Sequence, residues 1–71
     1  MEIFTLEKFD FIELNKMLKI TQLASSGGEA NQLITEGHIK VNGQVEMQKR
    51  KKLRNGDIVT FNGKEVKIAS A

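Results

Sequence analysis

The apolar residues of this chain change their spacing after the second of two helical stretches. Leu14, Met17 and Leu18, and later Ala30, Leu33 and Ile34, recur at intervals of three and four, the period of a helix. From His38 onward apolar and polar residues alternate, the period of a strand. A chain with such a switch keeps its helices apart from its strands, so the sequence predicts an α+β fold. The expected architecture is a helix-turn-helix-like pair packed on a small, mostly antiparallel sheet, with residues 1–71 as a single domain.

Length and composition exclude much else. With 39% hydrophobic and 28% charged residues over 71 positions, the chain is apolar enough to fold. No apolar run approaches the ~20 residues of a membrane-spanning helix. Glu2 and Glu7 occupy the place of a basic signal-peptide region, so a cytoplasmic protein is expected. Zero cysteines exclude a disulfide framework and a thiolate zinc site, and one histidine argues against a histidine-built metal centre. A core this small leaves little to wall a substrate pocket of ~300 Å³ or more. No cofactor, metal, small-molecule substrate or catalytic group is therefore expected, and the sequence points to a binding module.

The elements can be placed in outline. Residues 2–6 read as a strand with Ile3 and Thr5 on one face and Phe4 and Leu6 on the other. Asp10 and Glu13 fit a capping box with a Phe9–Leu14 staple, but Phe9 and Phe11 suit an extended segment, which favours a first helix opening at Leu14. Its stripe of Leu14, Met17 and Leu18 extends to Ile20. Ser26 and Glu29 form a second capping box, opening a helix that Gly37 closes.

Three Asn-Gly dipeptides follow, at 42–43, 55–56 and 62–63, and Asn-Gly is a strong hairpin signal. A tight turn at 62–63 pairs Phe61 with Lys64 and Val59 with Val66, which keeps the valines together. At 42–43 the same turn sets Val41 against Gln44 and Ile39 against Glu46. An irregular, bulged turn that gives Val45 an apolar partner is therefore expected. Met17, Phe4, Phe11 and Phe61 read as core, and His38 as structural.

Charge divides the chain. The net charge of +2 combines an acidic half, residues 1–36, with a basic half, residues 37–71. Lys49, Arg50, Lys51, Lys52 and Arg54 lie in six consecutive positions around Leu53. In an extended strand with Leu53 inward, Arg50, Lys52 and Arg54 form an outer row suited to a phosphate backbone, with Lys49 and Lys51 toward the other face. Such asymmetry points to a polyanionic partner.

Four blocks, in order, carry a family resemblance: Leu14-Asn15-Lys16-Met17-Leu18-Lys19; Leu23-Ala24-Ser25-Ser26 with Glu29-Ala30; Leu33-Ile34, Gly37-His38 and Val41-Asn42-Gly43; and Lys52-Leu53-Arg54-Asn55-Gly56-Asp57-Ile58-Val59. Together, over residues 12–61, they resemble the S4 RNA-binding domain, and most closely the small stand-alone bacterial S4-like proteins of the YaaA/YbcJ type. The resemblance implies the αL-motif fold, a helix pair on a small bent sheet, and binding of structured RNA such as ribosomal or transfer RNA; a non-enzymatic, ribosome-associated monomer is expected. Alternatives are a protein-interaction adaptor on a drifted S4 fold and DNA binding through the helix pair. The chain departs from the family pattern at Gly27 and Asn31, where many members carry Arg or Lys, and at Asn15, where Asp is common.

The candidate RNA-binding residues follow. Lys16 and Lys19 lie opposite the apolar stripe of the first helix, and Lys40 lies on the strand after Gly37. Ser25 and Ser26, with the glycines after them, leave backbone N–H groups open to an anion. Asn31, Gln32, Asn42 and Gln44 could meet bases or 2′-hydroxyls. Lys49, Arg50, Lys51, Lys52 and Arg54 supply the charge. The absence of Trp and Tyr argues against base stacking along a single strand and favours recognition of folded RNA by shape and charge.

Overall fold

In the computed structural model, which describes residues 1–70, the switch in period becomes two helices against two sheets. The elements in order are β1 (Glu2–Thr5), β2 (Ile12–Glu13), α1 (Leu14–Ile20), α2 (Gly27–Thr35), β3 (Lys40–Val41), β4 (Gln44–Val45), β5 (Lys52–Leu53), β6 (Ile58–Phe61) and β7 (Lys64–Ala69). The larger sheet has the order β1-β7-β6-β3-β4. Only its β1–β7 pair is parallel. β2 and β5 form a separate antiparallel pair.

The core lies between helices and sheets. Leu14, Met17 and Leu18 from α1 and Ala30 and Ile34 from α2 are buried with Val41, Leu53, Val59, Val66 and Ile68 from the strands. On β1 the alternation resolves as the pattern suggests: Phe4 is half-buried and Ile3 is exposed. The α1 stripe stops short of its expected end, because Ile20 is 56% exposed. Three buried positions fill one face of a seven-residue helix, and Ile20, two places past Leu18, falls off it.

The second helix begins and ends as its sequence signals indicate. The Ser26 hydroxyl accepts the Glu29 N–H at 3.1 Å. At the far end Gly37 takes φ +81°, its N–H reaches the Ile34 carbonyl, and the His38 N–H reaches the Leu33 carbonyl. This double closure is the Schellman motif.

The Asn-Gly turns diverge. At 62–63 both residues have positive φ and the register is Phe61–Lys64 and Val59–Val66, as the valine pairing requires. At 42–43 the bulge is absent. Asn42 (φ 53°) and Gly43 (φ 84°) make a tight turn, pairing Val41 with Gln44 and Lys40 with Val45. Two facts explain why polar can stand opposite apolar here. β4 is an edge strand, so Gln44 remains in water, as does Val45 at 51% exposure. The turn is also held by its own side chain: Asn42 Nδ2 donates to Asp57 Oδ1, and Asn42 Oδ1 accepts the Ile58 N–H. The third dipeptide, at 55–56, closes a turn between β5 and β6, which do not pair. There the Asp57 carboxylate accepts the Arg54 N–H at 2.8 Å.

Candidate nucleic-acid interface

The basic run does not lie in one extended strand. It turns over residues 48–51, where the Lys51 N–H reaches the Gln48 carbonyl, and only Lys52–Leu53 is strand. The reason lies at the start of α1. Glu13, the residue before the helix, makes no side-chain cap, so the first N–H groups need other acceptors. The basic run supplies them: the Leu14 N–H donates to the Lys51 carbonyl at 2.9 Å, and the Asn15 N–H to the Lys49 carbonyl at 3.0 Å. Fully buried Leu53 anchors the segment, opposite Ile12 across the β2–β5 pair.

This attachment brings the basic run against the helix that carries Lys16 and Lys19, both exposed. Lys49, Arg50, Lys52 and Arg54 are exposed, and Lys51 is half-buried. Among the described residues no lysine or arginine is ion-paired; the one short contact between ionisable side chains is His38 Nε2 to Glu36 Oε1 at 3.4 Å. The expected outer row of three shortens to two, since Arg50 lies in the turn. Lys52 Nζ and Arg54 Cζ stand 5.0 and 5.6 Å from the centre of the Phe11 ring. Phe11, read from the sequence as core, is thus a half-buried platform under two cations. The register that places it is simple: Ile12 pairs with inward Leu53, so Phe11, Lys52 and Arg54 share the outer face. Reading it in advance requires knowing that 12 pairs with 53, and no local signal marks that pairing.

The remaining candidates lie apart from this cluster or are engaged within the fold. Lys40 is exposed on β3, between Val45 and Thr60, and Gln44 is exposed on the edge strand. Asn42 spends both ends of its amide on Asp57 and Ile58. Around Ser25 and Ser26 the anion is the chain's own. Glu29 accepts the Ser25 N–H with Oε1 and the Ser25 hydroxyl with Oε2, each at 3.0 Å. The reciprocal half of the capping box is thereby moved one residue outward, onto Ser25 in place of Ser26.

Two departures from the family pattern meet in space. Asn15 Nδ2 donates to Asn31 Oδ1 at 3.1 Å, tying α1 to α2. Where the pattern carries an acid and a cation, this chain carries a neutral amide pair.

The fold and the sequence blocks together define an S4 domain. The chain belongs to the S4 domain family, whose pattern it matches over residues 4–69. It is 39% identical over 70 residues to "Putative RNA-binding protein YbcJ" of Escherichia coli (strain K12), covering 99% of this chain and all of that protein. The Shigella flexneri YbcJ, named an uncharacterized protein, matches at the same identity and coverage. Among solved structures it is similar to the solution structure of E. coli YbcJ, described as revealing an αL motif involved in RNA binding. That similarity has a TM-score of 0.74 at 39% identity and covers 97% of this chain and 87% of that one. No helix of the described residues is long and apolar enough to cross a membrane.

Proposed function

We propose that this protein is a non-enzymatic RNA-binding module of the cytoplasm, acting as a monomer on structured RNA such as ribosomal or transfer RNA. One observation carries the reading. The carbonyls of Lys49 and Lys51 hold the first N–H groups of α1, so the basic run and Lys16 form one surface whose cations have no acidic partner among the described residues. Such a surface exchanges its counterions for phosphates. The RNA-binding label of the E. coli relative and the family's S4 fold support the same reading.

The test is a titration of a structured RNA at several salt concentrations. Log K should fall with log salt by roughly 0.7–0.9 per phosphate contacted. Arg50→Glu, Lys52→Glu and Arg54→Glu together should weaken binding more than tenfold, ~1.4 kcal/mol or more, with the fold intact by circular dichroism. Lys16→Ala and Lys40→Ala should each give a smaller, salt-sensitive loss. Normal binding by the folded triple variant would overturn the assignment of the surface, and equal affinity for duplex DNA would overturn the choice of RNA.

A further inference from the structure

Beside the basic surface runs an open groove of about 790 Å³, walled by the segment between β1 and β2 and by the outer side of α1. Its lining includes Phe9, Phe11, Lys16 and Ile20. Phe9 is 74% exposed, an unusual position for a large aromatic in a chain with four phenylalanines and no Trp or Tyr. The backbone holds it there: Glu7 takes φ 50°, and the Phe9 N–H closes the turn onto the Leu6 carbonyl at 3.0 Å. Phe11 is shared, since it lines the groove and carries Lys52 and Arg54 over its ring. The groove and the cationic surface are therefore continuous through Phe11 and Lys16.

We propose that this groove receives a single unpaired nucleobase of the RNA whose phosphates lie on Lys16, Lys52 and Arg54. The inference rests on the RNA-binding reading and adds to it a preference for a helix that carries an unpaired nucleotide. The charges fix which way the nucleotide lies. Glu7, Asp10 and Glu13 outnumber Lys8 and Lys16 in the lining, so a phosphate is less favoured deep in the groove than at its rim beside Lys52 and Arg54. A base, uncharged and flat, stacks on the exposed Phe9 ring. The same carboxylates accept hydrogen bonds from amino groups on a base edge, as acidic side chains do from the cytosine amino group. Cytosine is therefore favoured over uracil, which has no amino group. One aromatic face serves one base, which agrees with recognition of folded RNA and not of an extended strand.

The test compares a blunt RNA hairpin with the same hairpin carrying three unpaired cytidines or three unpaired uridines, at its 5′ or 3′ end. For the unaltered protein one cytidine overhang should tighten binding by roughly fivefold or more, and the uridine overhang by less. Phe9→Ala should remove that gain and leave affinity for the blunt hairpin unchanged, while Phe9→Tyr retains it. An overhang that adds nothing, or a Phe9→Ala loss equal on blunt and overhanging RNA, would overturn the groove assignment while salt-dependent binding of the blunt hairpin leaves the basic surface standing. Unchanged RNA affinities with concentration-dependent self-association that Phe9→Ala abolishes would overturn it in favour of a contact between copies of the chain. Failure of the blunt hairpin itself to bind would overturn both readings.

Discussion

The two helices solve the same problem at their first turns in opposite ways. α2 is closed by its own sequence: Ser26 caps the Glu29 N–H, and Glu29 reaches back to Ser25. α1 has no such device, and its first N–H groups depend on carbonyls of Lys51 and Lys49, far along the chain. At the far ends both helices close on carbonyls of their own last turns, but with different residues. Gly37 closes α2 in the left-handed conformation, whereas α1 closes through Gln22, which takes φ 62° with a full side chain. α2 is a local structure that tertiary packing then uses. α1 is a tertiary structure from its first turn, and the segment that completes it is the one carrying the charge for the proposed interface. In this molecule the first turn of α1 and the segment that bears the cations are held by the same hydrogen bonds.

The strongest way to break that coupling is at Leu53. Its side chain is fully buried and its backbone lies opposite Ile12 in the β2–β5 pair, next to the carbonyls on which α1 begins. Leu53→Ala should cost about 2–5 kcal/mol by the cavity it leaves. Urea denaturation measures the loss. Amide exchange should show α1 losing protection at Leu14 and Asn15 more than α2 does at Glu29. Equal loss in both helices would mean that the basic run merely rests on α1.

The same division explains what could be read from residues alone. Ser26, Glu29 and Gly37 act on neighbours within a few positions, and so the limits of α2 are written locally. The 62–63 turn is readable because two valines must share a face. The 42–43 turn is not, because its geometry is held by Asp57 and Ile58 from another part of the chain, and because an edge strand escapes the apolar pairing that register arguments rely on. The cations were evident from composition. Their attachment to α1 and the outward placement of Phe11 both follow from one two-residue strand pair, too short to leave a periodic signal.

A gentler probe compares the residues before the two helices. Ser26→Ala should lower stability by about 0.5–2 kcal/mol, since it removes the only side chain accepting the Glu29 N–H. Glu13→Ala, at the equivalent position of α1, should change stability by no more than about 0.5 kcal/mol, because Glu13 makes no capping bond. Matched urea curves for the two variants test the pair together. A cost at Glu13 comparable to that at Ser26 would show that α1 is capped by its own sequence after all.

The smallest effect expected lies at the end of α1, and its sign is the informative part. Gln22 stands where α2 has Gly37, just past the last helical turn, and its N–H bonds to the Lys19 carbonyl at 3.1 Å. A side chain in the left-handed region strains against its own backbone, which glycine does not. Gln22 is exposed, and none of the fold's side-chain hydrogen bonds among the described residues uses it, so Gln22→Gly removes strain without removing a contact. Glycine also loses more backbone freedom on folding, which offsets part of the gain. The balance should favour the variant by roughly 0.5 kcal/mol, read as a higher urea midpoint with unchanged slope. Gly37→Ala should have the opposite sign, because φ +81° is kept there while a Cβ is added. If Gln22→Gly instead lowers the midpoint, the Gln22 side chain itself holds the loop between the helices.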